Sequence, residues 1–417
     1  MIRSQGWNVR RVVITGIGVF ASAGKNAEVF FKNLVEARSA VRRICQFDPS
    51  SLTVQIAAEV PDYNPADYFP AKRLDLLDRF SQFGLLAAKE AMTSSGIEVR
   101  EEERPRFGVV SGTGMAGVNT LEGGYISLYA NQATRLHPFT IPRMMHNAAT
   151  SQICMEFGAQ GPSFTTATAC SSSGHAIGEA FHLIKYGMAD IMLAGGCEAP
   201  ITVGMIRSWE SVRVLAIGNG DPSRACRPFS ADREGFVMGE GAAMLLLEDL
   251  EHARNRGAKI FAEISGYGLS SDAGHITQPS VDGPARAVRM ALEEAEIAPT
   301  QVDYINAHGT GTRLNDVTET QVLKKVFGEH ARKLAISSTK SMHGHTMGAT
   351  GAIELAATTM AIECAVIPPT ANYTAPDPEC DLDYVPNEAR EMPTRVAVSN
   401  SFAFGGLNAV LLIRKFE

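Results

Sequence analysis

The sequence predicts an α/β fold built from two similar halves, with strands covered by helices. Short apolar, β-branched runs ending in glycine recur along the 417 residues, as is typical of strands buried on both faces. Helical patterns lie between these runs, and the same order of motifs occurs in both halves. A chain of this length is expected to form one two-part unit or two domains.

Five runs carry the strand prediction. They are RRVVITGIG (10–18), RFGVVSGTG (106–114), ADIMLAGG (189–196), VDYINAHGTGT (302–312) and RVAVSNSFAFGG (395–406). A helix is predicted over 76–96, ending near Gly96, with one apolar stripe formed by Phe80, Phe83, Leu86, Ala87 and Ala91. A second helix, over 351–366, is apolar almost all round, which indicates a central position in the fold.

An internal repeat supports the two halves. RRVVITGIGVFASAG resembles IFAEISGYGLSSDAG, FGVVSGTG corresponds to DYINAHGTG, ADIMLAGGCEA to VAVSNSFAFGG, and CSSSGHAIGEA to KSMHGHTMGAT. The first half has extra segments near 30–75 and 115–165. We therefore predict a duplication joined near 252–259, with an N-terminal half of residues 1–255 and a C-terminal half of residues 256–417.

Composition and charge exclude several classes of protein. Hydrophobic residues make up 45% and charged residues 20% of the chain, as in a globular protein with a large core. The net charge of −7 argues against broad nucleic-acid binding. No apolar run reaches eighteen residues, so we expect no membrane span. The N-terminus MIRSQGWNVRRVVITGIG lacks a secretory signal pattern, so we expect a cytoplasmic location.

The seven cysteines show neither close pairing nor a CxxC motif, so we expect neither a disulfide framework nor a structural zinc site.

Cys170 stands between an extended stretch (162–169) and a helical pattern (174–187) that stops at Gly187. This places the thiol at a strand-to-helix turn, where free N–H groups and the helix dipole favour a thiolate. The N–H of Cys170 could also bind a developing oxyanion. An inert buried cysteine is an equally common outcome, and this stretch alone leaves both readings open.

The second half offers partners for a nucleophile. His308 follows a predicted strand, and Lys340, His343 and His345 precede the apolar helix. Two histidine–glycine loops suit a thiolate that accepts an acyl group while neutral imidazoles stabilise an enolate. A metal pair at His343 and His345 is the alternative, but no third ligand lies at suitable spacing.

Two carboxylates of the next helical segment also have two readings. Asp316 and Glu319 lie three residues apart on one helical face. They could cap a helix N-terminus or provide a buried carboxylate that pairs with Lys340.

Five motifs in order identify a resemblance. The chain resembles the β-ketoacyl-acyl-carrier-protein synthases of the elongating type through TACSSSGHAIGEA, CRPFSADREGFVMGEGAA (226–243), NAHGTGT, SSTKSMHGHTMGATGAIE and NSFAFGGLNA. The resemblance covers nearly the whole chain. It implies a thiolase-like αβαβα sandwich and a homodimer or a heterodimer with a related subunit.

The resemblance also implies roles for particular residues. Cys170 would be the acylated nucleophile, His308 and His345 would bind the malonyl thioester and promote decarboxylation, and Lys340, paired with Glu319, would support the histidines. The N–H groups of Cys170 and Phe404 would form the oxyanion hole, with Phe404 also gating the acyl pocket. The substrate-binding residues would be Thr310, Thr312, Met115 (at the neck of the acyl pocket) and Phe402. No catalytic metal is implied, although Asn306, Glu354 and Asn400 match a structural cation site of some relatives, and His343 is interpreted as structural.

The implied reaction is the decarboxylative condensation of a malonyl thioester with an acyl chain on Cys170. It needs no cofactor beyond the phosphopantetheine of an acyl carrier protein. Carrier proteins are acidic, so a local basic patch is expected. The candidates are Lys72, Arg73, Arg79, Arg207 and Arg213, although solvated helix faces explain any one of them equally well.

The chain departs from the housekeeping pattern at Ala403 and Leu407, where such relatives more often have Gly and Thr. These positions and the segment 196–216 look more like specialised ketosynthases of the nodulation, aryl-polyene or polyketide type. Alanine lacks glycine's backbone freedom, so Ala403 would stiffen a moving loop, and we predict an altered acyl preference.

Three other classes of protein compete with this interpretation. A chain-length-factor subunit would usually lack the cysteine, and a thiolase would have a second cysteine in the final glycine-rich loop, which reads SFAFGG here. A priming synthase would have Asn in place of His345.

Overall fold

The computed structural model of the protein describes residues 9–417. Its strands are β1 Val12–Ala21, β2 Arg42–Arg43, β3 Ile56–Ala57, β4 Phe107–Gly112, β5 Ser163–Thr166, β6 Ile191–Glu198, β7 Gly241–Asp249, β8 Ala262–Ser271, β9 Tyr304–Asn306, β10 Ala335–Ser337, β11 Val366–Ile367, β12 Arg390–Glu391, β13 Val396–Phe402 and β14 Leu407–Arg414. Its α-helices are α1 Ala27–Val35, α2 Ala71–Leu74, α3 Arg79–Ser95, α4 Val118–Tyr125, α5 Thr140–Met144, α6 Ala148–Phe157, α7 Ser172–Lys185, α8 Val203–Val212, α9 Leu250–Asn255, α10 Asp282–Ala295, α11 Arg313–Phe327, α12 Lys340–His343 and α13 Thr350–Cys364. The first eight residues of the predicted non-secretory N-terminus lie outside the described part of the chain.

Two sets of five strands share one topology. From the centre outward they run β1-β7-β6-β4-β5 and β8-β14-β13-β9-β10, with antiparallel pairs inside and parallel pairs outside in both sets. A short pairing of 12–14 with 262–264 joins them. This identical order confirms the predicted duplication, while the boundary at 255/256 stays a prediction.

Helices cover both faces of the strands. Helices α3 and α6 pack on the first set, α10 packs on the second with α11 against it, and α7 and α13 contact strands of both sets from the middle. This is the αβαβα layering predicted above. All five predicted strands are present, and the predicted helices correspond to α3 and α13. Helix α13 is buried along almost its whole length, as its uniform apolarity predicted.

The repeated GxG motif of β1 and β8 is explained by helix packing. A Cβ at Gly18 would lie 1.9 Å from the carbonyl oxygen of Ala87, and one at Gly268 would lie 1.8 Å from that of Ala287. Both alanines belong to the outer helices α3 and α10. The glycines therefore let each outer helix touch the strand backbone, in the same way in both halves.

One pairing of the predicted repeat is wrong. Residues 170–180 were paired with 340–350, but the structural counterpart of α7 is α13, which starts at Thr350. Short 3₁₀ turns, Ala169–Ser171 and Met347–Ala349, precede the two helices, and each begins with a left-handed residue. The counterpart of Cys170 is therefore Gly348. The inserted helix α12 in the second half displaced the alignment, because glycine and alanine are frequent in both stretches.

In the part of the chain from residue 9 onward, no helix is both long enough and apolar enough to span a bilayer.

Candidate functional site

Cys170 lies at the predicted strand-to-helix turn. Strand β5 ends at Thr166, the 3₁₀ turn holds Ala169–Ser171, and α7 begins at Ser172. Ala169 has a left-handed φ of 52°, which turns the chain sharply before the helix. The Cys170 side chain is buried, and the backbone N–H groups of Phe404 and Cys170 act to lower the pKa of its thiol. These are the two N–H groups that the resemblance predicted for an oxyanion hole.

Two histidines from the second half meet this thiol. His345 Nε2 lies 3.1 Å from Cys170 Sγ, and its Nδ1 lies 2.9 Å from Thr350 Oγ1. The rings of His308 and His345 are nearly perpendicular, with centroids 5.6 Å apart. The sulfur and one nitrogen of each ring lie within 4.8 Å of one another. The structure thus brings together three residues that are 138 and 37 positions apart in the chain.

Both histidines are neutral at physiological pH. Burial and the nearby Lys340 ammonium hold the pKa of His308 and of His345 well below the usual range. Lys340 Nζ lies 3.4 Å from His308 Nδ1, and because an ammonium can only donate, that nitrogen accepts and the proton is on Nε2. A neutral imidazole with its N–H in the cavity can donate to an oxyanion without first losing a proton.

The thiol is less acidic than its position suggested. Burial raises the pKa of Cys170 to about 11, although Lys340 and the N–H groups of Phe404 and Cys170 act in the opposite direction. The expectation that local N–H groups favour a thiolate is right in direction, but burial outweighs them in the substrate-free protein.

Lys340 pairs with Glu354 and not, as predicted, with Glu319. Its Nζ lies 2.5 Å from Glu354 Oε1, both side chains are fully buried, and it also donates to the carbonyl oxygen of His308. Glu319 instead accepts from the N–H groups of His308 and Gly309, both at 2.8 Å. The reason is geometric: Glu354 lies on α13, which follows the short helix α12 that begins at Lys340, whereas Glu319 faces the backbone after β9.

Asp316 does not pair with Lys340 either. Its carboxylate accepts from the N–H of Phe229 at 2.8 Å and forms a buried ion pair with Arg233 at 3.2 Å. It therefore fixes the start of α11 against the segment around 229–233.

Three buried oxygens coincide with the predicted cation site. Asn306 Oδ1, Glu354 Oε2 and Asn400 Oδ1 have no hydrogen-bond partner within residues 9–417. In Glu354, Oε2 is the oxygen without a partner, and Oε1 accepts from Lys340. The amide nitrogen of Asn306 donates to the backbone carbonyl oxygen of Glu354. Carboxylate and amide oxygens are the ligands that hard cations prefer, so these residues fit such an ion.

A cavity of about 470 Å³ leads to the thiol. Its lining includes Cys170, His308, His345, Thr310, Thr312, Phe402 and Phe404. Met115 is not among the residues that line this cavity, and its place at the neck of the acyl pocket stays a prediction. Its backbone N–H is instead bound to the carboxylate of Glu198, at 3.0 Å.

An aromatic contact that the sequence did not predict also lines this cavity. The ring of Trp209 lies 5.8 Å from that of Phe404 and 5.4 Å from that of Phe236, which in turn contacts His345 at 5.2 Å. The only available signal was the unusual segment 196–216, which contains Trp209. Phe404 sits in a tight β13–β14 turn whose left-handed residues are Gly405 and Gly406, and Ala403 keeps an ordinary φ.

The remaining histidines have structural contacts. His343 Nε2 lies 3.0 Å from Thr339 Oγ1, and its ring packs near Phe30. His175 lies on α7, with Nδ1 at 2.7 Å from the Tyr267 hydroxyl. Neither ring lines the cavity described above.

Five basic residues were candidates for docking a carrier protein, and for Arg79 this prediction is wrong. Its guanidinium is bidentate to the buried Glu240, at 2.5 and 2.9 Å, and stacks on Tyr63 and Phe83. Arg73 is bound to Glu156 at 3.1 Å. The other three, Lys72, Arg207 and Arg213, are exposed, and Arg213 lies at the mouth of the cavity.

Comparison with known proteins agrees with the fold and identifies the family. Residues 9–253 match the family described as "Beta-ketoacyl synthase, N-terminal domain", and residues 261–374 match "Beta-ketoacyl synthase, C-terminal domain". The chain is 47% identical to Nodulation protein E of Rhizobium sp. (strain N33), covering 97% of this chain and 99% of that protein. It is 43% identical to 3-oxoacyl-[acyl-carrier-protein] synthase 2 of Synechocystis sp., covering 98% and 99%.

Among solved structures, the ishigamide ketosynthase/chain length factor superposes with a TM-score of 0.92 at 36% identity, covering 98% of this chain and 100% of that chain. The chain belongs to the β-ketoacyl synthase family and has its thiolase-like fold.

Proposed function

We propose that the protein is a 3-oxoacyl-[acyl-carrier-protein] synthase that elongates an acyl chain held as a thioester on Cys170. The observation that carries this proposal is the thiol flanked by two neutral imidazoles at the end of a cavity. Nucleophile and oxyanion donors within reach of one another are what acyl transfer requires.

In the first half-reaction, Cys170 Sγ attacks the thioester carbonyl of an acyl carrier protein. The new bond is sulfur to carbon, and the bond that breaks joins that carbon to the phosphopantetheine sulfur, which leaves as a thiol with the proton of Cys170. The Cys170 proton passes to this leaving sulfur, while His345, whose Nε2 lies 3.1 Å from Cys170 Sγ, keeps its own N–H. The N–H groups of Cys170 and Phe404 donate to the tetrahedral oxyanion.

In the second half-reaction, a malonyl thioester loses carbon dioxide and becomes an enolate. His308 and His345 donate N–H to the enolate oxygen, and Lys340 keeps the His308 proton on Nε2. The enolate carbon attacks the Cys170 thioester, and the carbon–sulfur bond breaks. Cys170 leaves as a thiolate that takes up a proton from solvent, and the 3-oxoacyl product has two more carbons. Loss of carbon dioxide drives the step, so the reaction consumes neither ATP nor a redox cofactor.

The substrate arm belongs to the carrier protein. Thr310 and Thr312, whose hydroxyls are 2.9 Å apart in the cavity, are placed to bind a phosphopantetheine chain. The carrier is acidic, and we propose that Arg213 and the exposed Arg207 contribute to its docking. A carrier-bound substrate is consistent with a cytoplasmic enzyme.

We also propose a second subunit, either a second copy or a related chain. Strand β5 lies at one edge of the sheet, and within residues 9–417 it pairs only with β4. Large apolar side chains are exposed nearby in the chain, among them Tyr125, Tyr129 and Ile141. An open sheet edge beside apolar surface is what a partner covers.

The three unpartnered oxygens of Asn306, Glu354 and Asn400 would hold a structural cation. Such an ion would fix the backbone around β9 and α13, between which Lys340 lies. No step of the condensation passes through it.

Mass spectrometry of Cys170 tests the proposal. The protein is mixed with saturated and polyunsaturated acyl carrier proteins, and we expect an acyl adduct on Cys170 with a chain preference unlike that of a housekeeping synthase. Cys170→Ala should lose condensation, and Cys170→Gln should keep malonyl decarboxylation. Cys154→Ala, a half-buried cysteine on α6, is the matched control and should behave as wild type. Absence of any Cys170 adduct would refute the proposal.

A further inference from the structure

Glu198 is a fully buried carboxylate that none of the steps above uses. It is the last residue of β6. Its Oε1 accepts from Thr113 Oγ1 and from the Met115 N–H, both at 3.0 Å, and its Oε2 accepts from the N–H of Gly114 at 2.6 Å and of Gly348 at 3.0 Å.

Four donors surround this carboxylate, which suits the ionised form. An ionised carboxylate accepts at both oxygens, whereas a protonated one would turn an O–H toward groups that mostly donate. Burial nevertheless raises the pKa of Glu198 to about 7, with the hydrogen bonds acting in the opposite direction. The charge is thus balanced by backbone dipoles rather than by a salt bridge.

The duplication explains why Glu198 lies there. Gly348 is the structural counterpart of Cys170, and β6 is the counterpart of β13, whose C-terminal end leads to Phe404. In one half the N–H of Phe404 acts to lower the pKa of the thiol. In the other half a carboxylate accepts from the glycine that stands in place of the cysteine. A Cβ at Gly348 would lie 2.7 Å from Glu198 Oε2 and 2.3 Å from the Gly114 nitrogen, so only glycine fits.

The hydrogen bond from the Gly348 N–H to Glu198 holds the 3₁₀ turn Met347–Ala349, and this turn connects Glu198 to the reacting groups. The turn starts two residues after His345, whose Nε2 lies 3.1 Å from the thiol. Glu198 binds this turn to the loop 113–115, which itself approaches the carbonyl of Ala169, next to Cys170. The carboxylate thereby links the segments that carry the thiol and the imidazole.

We propose that Glu198 is a positioning residue, which holds His345 at its distance from Cys170 and adds a negative charge that opposes early loss of the thiol proton. The inference rests on the proposed role of Cys170. The charged and titratable groups that bear on the thiol are His345 and His308 beside it, Lys340 on the positive side and Glu198 on the negative side.

The test compares Glu198→Gln with Glu90→Gln in the full-length protein. Glu90 is the matched control, because it is also a largely buried carboxylate that accepts two backbone N–H bonds, from Val19 and Ala27, but lies on the outer helix α3. Two quantities are measured: the iodoacetamide alkylation rate of Cys170 across pH, and kcat and KM for condensation.

For Glu198→Gln we expect alkylation at pH 8 to rise about threefold, because a nearby negative charge is lost. We expect kcat to fall about tenfold with an unchanged KM for carrier protein, because His345 is less well placed. Glu90→Gln should keep wild-type values for both. An unchanged kcat in Glu198→Gln, a fall in kcat without faster alkylation, or equal effects of Glu90→Gln would each overturn the inference.

A second variant covers the case in which Glu198→Gln does not fold. Thr113→Val removes one donor and keeps the charge, so kcat should fall about threefold while alkylation does not accelerate. An unchanged kcat in this variant would overturn the positioning role. Alkylation does not depend on a carrier protein, so failure of the proposed function, seen as no acyl adduct on Cys170, remains a separate result.

Discussion

Replacing Arg79 by methionine should destabilise the protein without weakening carrier-protein binding. The guanidinium is bidentate to Glu240, whose side chain is only 1% exposed. Among the residues from 9 onward, the donors that this carboxylate keeps in Arg79→Met are the Gln46 amide and the Val60 N–H. The variant therefore leaves a buried charge without its counter-ion.

The expected loss can be worked out from these contacts. Removing one partner of a buried ion pair costs about 3–5 kcal/mol. The guanidinium also stacks on two aromatic rings, at 4.9 and 4.8 Å, and losing these contacts adds about 1 kcal/mol. We expect the free energy of unfolding to fall by about 4–6 kcal/mol. Removing both charges in Arg79→Met/Glu240→Gln should recover about 2 kcal/mol or more, because no unpaired buried charge remains.

Urea unfolding followed by circular dichroism measures the stability, and steady-state kinetics with a carrier-protein substrate measure KM. Lys72→Met, an exposed neighbour on α2, is the control and should change stability by less than about 0.5 kcal/mol. A loss below about 1 kcal/mol in Arg79→Met, or a raised KM in a protein of unchanged stability, would refute the structural role.

Three further outcomes follow from the described contacts. Gly268→Ala should lower the melting temperature strongly, because its Cβ would overlap a helix carbonyl. Gly123→Ala is the control and should not lower it, because the space around its Cβ is open. Differential scanning calorimetry compares the two variants, and equal melting temperatures would contradict the packing argument. Alkylation of Cys170 in the substrate-free protein should accelerate about tenfold per pH unit between about pH 8 and pH 10, because a pKa of about 11 keeps the thiolate fraction small until alkaline pH. Mass spectrometry measures the alkylation rate, and a rate that reaches a plateau near neutral pH would contradict this prediction. Trp209→Ala should free the Phe404 ring and shift acyl-chain preference toward bulkier chains in a competition assay, and an unchanged product profile would show that the contact does not set selectivity.

The sequence was sufficient to predict five of the strands, the duplication and the residues that meet at the thiol. Buried β-branched runs and a uniformly apolar helix are local patterns, and the repeat of motifs fixed their grouping. The five motifs in family order identified Cys170, His308 and His345, which no local pattern could have brought together.

Side-chain partners were not predictable in the same way. The i, i+3 spacing of Asp316 and Glu319 placed both on one face of α11, but it could not show that this face meets backbone N–H groups rather than Lys340. The charge of Arg79 suggested exposure, yet its guanidinium is turned inward by a carboxylate 161 positions away. The acidity of Cys170 depends on burial, which is a property of the assembled layers.

Glu354 was assigned to a cation site and also pairs with Lys340, so one residue has both an orphaned oxygen and an ion pair. A pattern of residue types cannot separate such roles, because each oxygen of a carboxylate has its own environment. The internal repeat also gave one wrong pairing of motifs. The reason is that the short helix α12 precedes α13 in the second half, whereas no such helix lies between β5 and α7 in the described first half.

The matched turns before α7 and α13 have a consequence for how the two halves depend on each other. The two halves contribute unlike groups to one reaction centre, since the turn before α7 carries the thiol and the segment before α13 carries an imidazole 3.1 Å from it. At the turn before α13, the counterpart of the thiol is a glycine under a carboxylate. Neither half by itself holds the three residues that meet at the thiol, so the reaction centre exists only where the two halves are joined.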